Sequence, residues 1–303
     1  MPLGYNITTP LRTPFPATSI CQFYRVSFAL SAPHLSGLPA DIIGNQAYCG
    51  KEITVVALLS PSSSRYQRQM ALCDFGREGQ QRLKAAHILL VGAGGLGSAA
   101  ALYLAGAGIG TLSLADDDHV SLTNLHRQVL YTEADIGKAK ADTACQHLAE
   151  RNNNICCQPL AIRLKGDALH NAVTTADLVL DCTDNLTTRH ALNACCIATA
   201  TPWIHASVAH LRGQLTVFSP PFIHGCYRCL FPDTTPTAQG PLPILGPLPG
   251  IIGAMQALEA IRWIVSGNSP LIDTLTLFDG QRQRWHSLER TAQPHCPFCG
   301  TDS

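Results

Sequence analysis

The run Gly92-Ala93-Gly94-Gly95-Leu96-Gly97 stands between an apolar pentapeptide, His87-Ile88-Leu89-Leu90-Val91, and an Ala- and Leu-rich stretch from Leu96 to Ala107. The pentapeptide reads as a buried strand and the later stretch as a helix, so the glycines lie where one becomes the other. Glycines at such a junction let the backbone turn tightly and approach phosphate, and a helix N-terminus offers unpaired N–H groups to anions. Asp116 follows 19 residues after Gly97, where a second strand would end. An acidic group there suits a ribose hydroxyl. Gly92, Gly94, Gly95, Gly97 and Asp116 are therefore candidate nucleotide contacts.

The alternation continues down the chain. Thr111–Ala115 reads as a second strand, 138–151 as a helix, 155–162 as a third strand, 178–180 as a fourth and 187–199 as a helix. This predicts an α/β fold with a Rossmann-like, mainly parallel sheet and flanking helices. Residues 203–208 and 213–219 read as strands with no helix between them, which predicts a partly antiparallel C-terminal extension. The prolines from Pro232 to Pro249 predict a loop, and a helix over 252–265 and a strand over 275–278 close the body. Residues 1–64 stand apart, rich in Pro, Ser and Thr without a sustained period. They are expected to be a poorly ordered extension or to reflect a mis-assigned start, with 51–59 as a candidate strand; the domain proper is expected over 65–303.

Net formal charge is zero, so electrostatics point to neither a nucleic acid nor a membrane surface as partner. No apolar run is expected to approach the roughly 20 residues of a bilayer span. The 13 cysteines are too sparse in 303 residues for a small disulfide scaffold. Adjacent pairs such as Cys156-Cys157 and Cys195-Cys196 are poor partners for each other, which predicts a reducing, cytoplasmic setting.

Three further features bear on chemistry. Asn124-Leu125-His126-Arg127-Gln128 joins amides and a fixed cation, and Lys140 adds a point charge. Cations near a glycine turn suit a triphosphate whose leaving pyrophosphate gathers charge, although Arg127 also suits a solvated helix start. Asp181-Cys182-Thr183-Asp184-Asn185 ends an apolar strand, where parallel sheets bind ligands. Asp184 there can hold Mg²⁺ together with phosphate oxygens, or cap the following helix, and Asp181 suits a structural role. Cys226-Tyr227-Arg228-Cys229 and Cys296-Pro297-Phe298-Cys299, with 66 residues between them, match a closed Cys₄ zinc site.

Arg65-Tyr66-Gln67-Arg68-Gln69, the glycine turn, Asn124–Gln128, Asp181–Asn185 and the two cysteine pairs occur in this order. Together they resemble the ThiF/MoeB/HesA family, relatives of the ubiquitin-activating enzymes, over about residues 65–303. Leu114–Asp118, Gly225–Leu230 and Leu277–Gly280 lean to the ThiF branch. The resemblance implies that ATP and the C-terminal glycine carboxylate of a small ubiquitin-like sulfur carrier ending in Gly-Gly give an acyl-adenylate and pyrophosphate. The carrier would be ThiS of thiamine biosynthesis, with MoaD of the molybdenum-cofactor pathway as runner-up. It also implies that Gly95, Asp116, Asn124, Arg127, Lys140 and Asp184 match the family's ATP-site positions, with Asn185 beside the last. Asp116 would hold the ribose, Arg127 and Lys140 the phosphates, Asp184 the Mg²⁺, and Arg68 would enter a partner subunit's site in a homodimer. One departure stands out: the loop from Pro232 to Gly250 contains no cysteine, Gln239 or a neighbour taking the expected place. Adenylation needs no thiol there, so a separate sulfur donor is expected. A dehydrogenase of the same sheet type would leave Arg127, Lys140 and the cysteine pairs without a purpose. A non-catalytic scaffold would leave Arg68 and Asp184 without one.

Overall fold

The computed structural model describes residues 65–232 and 243–300. The extension over 1–64, its candidate strand at 51–59, and Gln239 in the proline-rich loop lie outside the described residues. Among the described residues eight strands form one sheet in the order β3-β2-β1-β4-β5-β6-β7-β8. They are β1 (His87–Val91), β2 (Thr111–Ala115), β3 (Cys156–Leu160), β4 (Leu178–Asp181), β5 (Trp203–Ala209), β6 (Arg212–Phe218), β7 (Thr274–Asp279) and β8 (Arg284–Glu289). The first five run parallel and the last three join them antiparallel. This is the expected fold class, with the change of direction at the expected hairpin. The helices are α1 (Gln67–Met70), α2 (Gly76–Ala85), α3 (Gly95–Ala107), α4 (Lys140–Arg151), α5 (Gly166–Thr174), α6 (Leu186–Ala198), α7 (Tyr227–Leu230) and α8 (Pro247–Ser266).

Strand periodicity decides which side chain goes to which layer. Ile88 and Leu90 of β1 join the cluster made with α3, α4 and α8. Leu89 and Val91 join the opposite cluster, made with α5, α6, Trp203, Phe218 and Tyr227. A strand apolar on both faces belongs in the middle of such a sheet. The edges look different. β3 is largely exposed and tolerates Pro159, as an edge strand can, and β8 is exposed along its whole length. Arg284-Trp285-His286-Ser287-Leu288-Glu289 carries no buried face, which is why it gives no strand signal in the sequence. Helices α2 and α5 are missed for a related reason. In α2 only Gly79, Gln80 and Leu83 are buried, and in α5 only Leu169 and Val173.

Helix α8 corrects two expectations. It begins at Pro247, inside the predicted loop, because Pro247 and Pro249 fall in its first turn, where no intrahelical N–H is required. It also has 20 residues, and an 18-residue stretch of it with a mean hydropathy of 1.2 is long and apolar enough to cross a bilayer by length and composition alone, although half of that stretch is buried, as in a core helix. The prolines and the charges Glu259 and Arg262 break this run to the eye. Its inner side is polar where it must be. Gln256 donates to the carbonyls of Asp181 (2.9 Å) and Ile204 (3.0 Å), and buried Glu259 accepts from Ser269 Oγ at 2.7 Å. The helix packs on α3, β5 and β6. A second difference concerns the thiols: Cys145 of α4 and Cys157 of β3 are joined by a disulfide, whereas the sequence suggests a reducing setting.

The β1–α3 turn depends on two contacts that only glycine allows. Gly92 has φ +96°, and a Cβ on it would lie 2.8 Å from the Cys182 carbonyl oxygen. A Cβ on Gly97 would run into the Gly92 carbonyl. Gly92→Ala is expected to cost about 1–3 kcal/mol for the backbone conformation alone, with more for the displaced strand end. Urea denaturation checks this, and an unchanged midpoint would mean that the turn opens freely.

Candidate functional site

The strand order reverses between β1 and β4, and their carboxyl ends leave the crevice where open α/β sheets bind ligands. Gly92 N–H donates to Ala115 O at 2.8 Å, which sets the turn against the end of β2. Asp116 then closes the turn from the side. Its Oδ2 accepts from Ala93 N–H at 2.7 Å and its Oδ1 from Asp118 N–H at 2.9 Å. Burial pushes the Asp116 carboxyl above its ordinary value, against the pull of Lys140 and these two N–H groups.

Lys140 reaches the same corner from the start of α4, which begins here rather than at Lys138. A short antiparallel bridge explains the difference. Val120 N–H donates to Lys138 O and Lys140 N–H to Asp118 O, both at 2.9 Å, so 138–139 are extended. The Lys140 side chain is 5% exposed and its Nζ lies 2.9 Å from Asp118 Oδ2, on a carboxylate that is itself exposed. A buried ammonium with one exposed counter-charge can exchange that partner for a phosphate oxygen. Tyr131 braces this corner, its buried hydroxyl lying 3.0 Å from Ala93 O and 3.3 Å from Lys140 O.

The Asn124–Gln128 segment folds onto the glycine turn. A Cβ on Gly95 would meet Arg127 O at 3.4 Å, and one on Gly94 would meet Gln128 Nε2 at 3.7 Å. The Asn124 carbonyl accepts from the N–H groups of Arg127 and Gln128, both at 3.0 Å. Arg127 Nη1 donates to Thr123 O at 3.0 Å and lies 2.9 Å from His126 Nε2, so its guanidinium bonds within its own loop. Gln128 is buried and, among the described residues, its Oε1 has no hydrogen-bond partner. A buried unpaired acceptor beside a turn of backbone N–H groups is what a polar ligand would satisfy.

Across the crevice, Asp181 is fully buried in β4. It accepts from Thr183 N–H (3.0 Å), Thr183 Oγ1 (2.6 Å) and His205 Nδ1 (2.7 Å), with Arg189 Nε at 3.7 Å. Burial alone would raise its pKa, but the His205 and Thr183 hydrogen bonds and the Arg189 charge together hold it below the ordinary carboxylate value. Arg189 Nη2 also donates to Thr183 O at 2.5 Å. Thr183 is thus gripped from both sides, and Asp184, the next residue, projects as an exposed carboxylate. The helix cap is Asn185, whose Oδ1 accepts from Thr188 N–H at 2.9 Å. His205, Arg189, Tyr131 and Gln256 escape a sequence reading because each is one polar residue in a segment read for another reason. The lone histidine inside the apolar strand Trp203–Val208 was the available signal.

Arg68 is not brought to this corner. It is exposed on α1, which is tied to the far end of α3. Gln69 Nε2 donates to Ala107 O at 2.8 Å, and a Cβ on Gly108 would strike the Tyr66 ring.

A separate cluster unites the two cysteine pairs. Cys226 Sγ lies 4.0 Å from Cys229 Sγ and 3.6 Å from Cys296 Sγ, and Cys229 Sγ lies 3.4 Å from Cys299 Sγ. All four sulfurs fall within 4.8 Å of one another. Four sulfurs each about 2.3 Å from one zinc ion would stand about 3.8 Å apart, so the set fits the metal. N–H groups that favour thiolate face it: Asn193 Nδ2 lies 3.6 Å from Cys226 Sγ and Gln293 N 3.3 Å from Cys229 Sγ. The buried Arg290 guanidinium donates to the carbonyls of Gly225 (3.0 Å), Val217 (2.7 Å) and Ile272, and lies 4.3 Å above the Phe218 ring. It thereby ties this lobe to the sheet.

The ThiF family model matches residues 66–298. The chain is 48% identical over 238 residues to the sulfur carrier protein ThiS adenylyltransferase of Escherichia coli (strain K12), covering 78% of this chain and 94% of that protein. It is 40% identical over 239 residues to the molybdopterin-synthase adenylyltransferase of Salmonella typhimurium (strain LT2), covering 78% and 96%. Among solved structures, E. coli MccB with ATP matches with a TM-score of 0.66 and 25% identity, over 78% of this chain and 74% of that one. Matched along most of its length to one family pattern, and to nearly the whole of two adenylyltransferases, the chain belongs to the ThiF family.

Proposed function

We propose that this chain adenylates the C-terminal glycine carboxylate of a small ubiquitin-like sulfur carrier, and that the carrier is ThiS. The observation that carries the reading is the convergence of the glycine turn, buried Lys140, unpaired Gln128 and the Asp184 loop on one crevice, in a chain 48% identical to a ThiS adenylyltransferase. The carrier carboxylate attacks the α-phosphorus of ATP. The bond from that phosphorus to the bridging oxygen breaks, and pyrophosphate leaves with the electron pair. The acyl-adenylate formed has AMP as a good leaving group for later sulfur transfer. The turn N–H groups and Gln128 bind the nucleotide, Asp116 accepts from the ribose, and Asn124 orients it. Lys140 leaves Asp118 for the phosphates and, with Arg127, offsets charge growing on pyrophosphate. Asp184 would hold Mg²⁺ with the phosphate oxygens, which neutralises triphosphate charge. Cys226, Cys229, Cys296 and Cys299 would hold a structural Zn²⁺, whose closed shell leaves no position for catalysis.

Arg68 supports a homodimer with shared sites. The 13-residue α3 separates it from its own glycine turn by about 20 Å at 1.5 Å per residue, so it serves the partner's crevice. The cytoplasm is the compartment where ATP and a carrier meet. Without a cysteine in the 232–250 loop, sulfur would come from a separate donor. MoaD is the second reading, because the molybdopterin-synthase adenylyltransferase matches over a similar length.

ATP–pyrophosphate exchange with ThiS and with MoaD tests the reading and chooses between carriers; exchange with neither supports a scaffold. Arg127→Ala is expected to lower exchange about 10²- to 10³-fold with an unaltered melting curve, and wild-type exchange would remove its role. Cys226→Ser should take bound zinc from about one ion per chain to near none and lower the melting temperature, because structural zinc binding is folding energy. Unchanged metal content would reject the zinc site.

A further inference from the structure

His205 is fully buried between two polar partners that belong to different parts of the molecule. Its Nδ1 lies 2.7 Å from Asp181 Oδ2, and its Nε2 lies 3.2 Å from Gln214 Nε2. The groups facing the ring are Asp181, Arg189 and Tyr227, whose ring centroid is 4.9 Å away, with Trp203 and Phe231 further out. A carboxylate can only accept, so Nδ1 carries the proton. Nε2 of the neutral ring is then an acceptor, and the amide nitrogen of Gln214 donates to it. That contact turns the Gln214 amide oxygen away from the histidine. Gln214 is half-buried and lines a cleft of about 400 Å³ on the antiparallel half of the sheet, beside Ser207, Arg212, Leu277 and His286. On its other side, Asp181 holds the Thr183 peptide, the residue before Asp184.

We infer that His205 is a positioning residue shared by both substrates. Its Nδ1 edge holds, through Asp181, the loop that carries Asp184, and its Nε2 edge aims the Gln214 carbonyl at the cleft to accept a backbone N–H of an extended peptide tail. This rests on the adenylation reading, in which nucleotide and carrier tail reach the site from different sides. The edges can be separated. Asparagine keeps a donor where Nδ1 stands and loses the reach to Gln214. Glutamine keeps an acceptor where Nε2 stands and loses the bond to Asp181.

The test is ATP–pyrophosphate exchange with full-length wild type, His205→Asn and His205→Gln, varying Mg-ATP and carrier separately, with melting curves alongside. His205→Asn should raise the carrier KM about two- to ten-fold, the worth of one hydrogen bond, and leave the Mg-ATP KM unchanged. His205→Gln should do the reverse. Equal effects on both KM values in both variants, or none, would overturn the inference. If either variant melts without cooperativity, Gln214→Met, which leaves the buried pair in place, should still raise the carrier KM alone; an unchanged carrier KM would overturn the inference. Absence of exchange in the wild type would defeat the adenylation reading and this inference together, whereas robust wild-type exchange with unsplit variants defeats only the inference.

Discussion

The carbonyl oxygen of Cys182 occupies the space that a side chain on residue 92 would need, and the crevice depends on that approach. β1 and β4 are neighbours in register, Val91 opposite Asp181. Their ends can touch only because residue 92 lacks a Cβ and takes a positive φ. The contact sets the glycine turn and the Asp184 loop side by side, although some ninety residues separate them in the chain. Because the strand order reverses at this pair, no connecting helix covers the gap.

Three loops here are held by a charged side chain, fully buried at Asp181 and Arg290 and partly buried at Asp116. Asp116 fastens the glycine turn, Asp181 fastens the loop before α6, and Arg290 fastens the cysteine lobe. Each meets hydrogen-bond partners on the backbone or, at Asp181, mainly on neighbouring side chains, which is what makes an ion tolerable away from water. Lys140 differs, since its counter-charge is exposed. Gln128 differs too, since its carbonyl oxygen is unpaired. Both departures lie at the crevice, although among the described residues Trp203 Nε1 and Arg290 Nε are also buried without a hydrogen-bond partner.

Much of this could be read from the chain. The parallel half was legible because β1 and β4 are apolar on both faces and β2 on one, and each is followed by a helix or turn signal. The hairpin was legible because 203–208 and 213–219 leave no room for a helix between them. The cysteine cluster was legible from spacing alone, and the observed sulfur distances match what one tetrahedral ion would impose. By contrast β8, α2 and α5 were hidden, because edge and surface elements bury too few residues to leave a period. The start of α8 was hidden because proline reads as a breaker, although in a first helical turn it breaks nothing.

The sequence by itself determined the strand–turn–helix unit, the acidic strand ends and the four-cysteine set, because the first two are encoded by residues a few positions apart under one local rule and the last by two matched C-x-x-C pairs. Only the tertiary structure decided that Asp181 is held by His205 and Arg189, that Gln256 on α8 bridges β4 and β5, and that Asn185 rather than Asp184 caps α6. Tertiary structure also placed Arg68 at the wrong end of α3 to serve its own glycine turn. Apart from the Asn185 cap, these pairings join residues that no local period relates. They follow from which strand ends lie adjacent and from the need of each buried polar atom to find a partner.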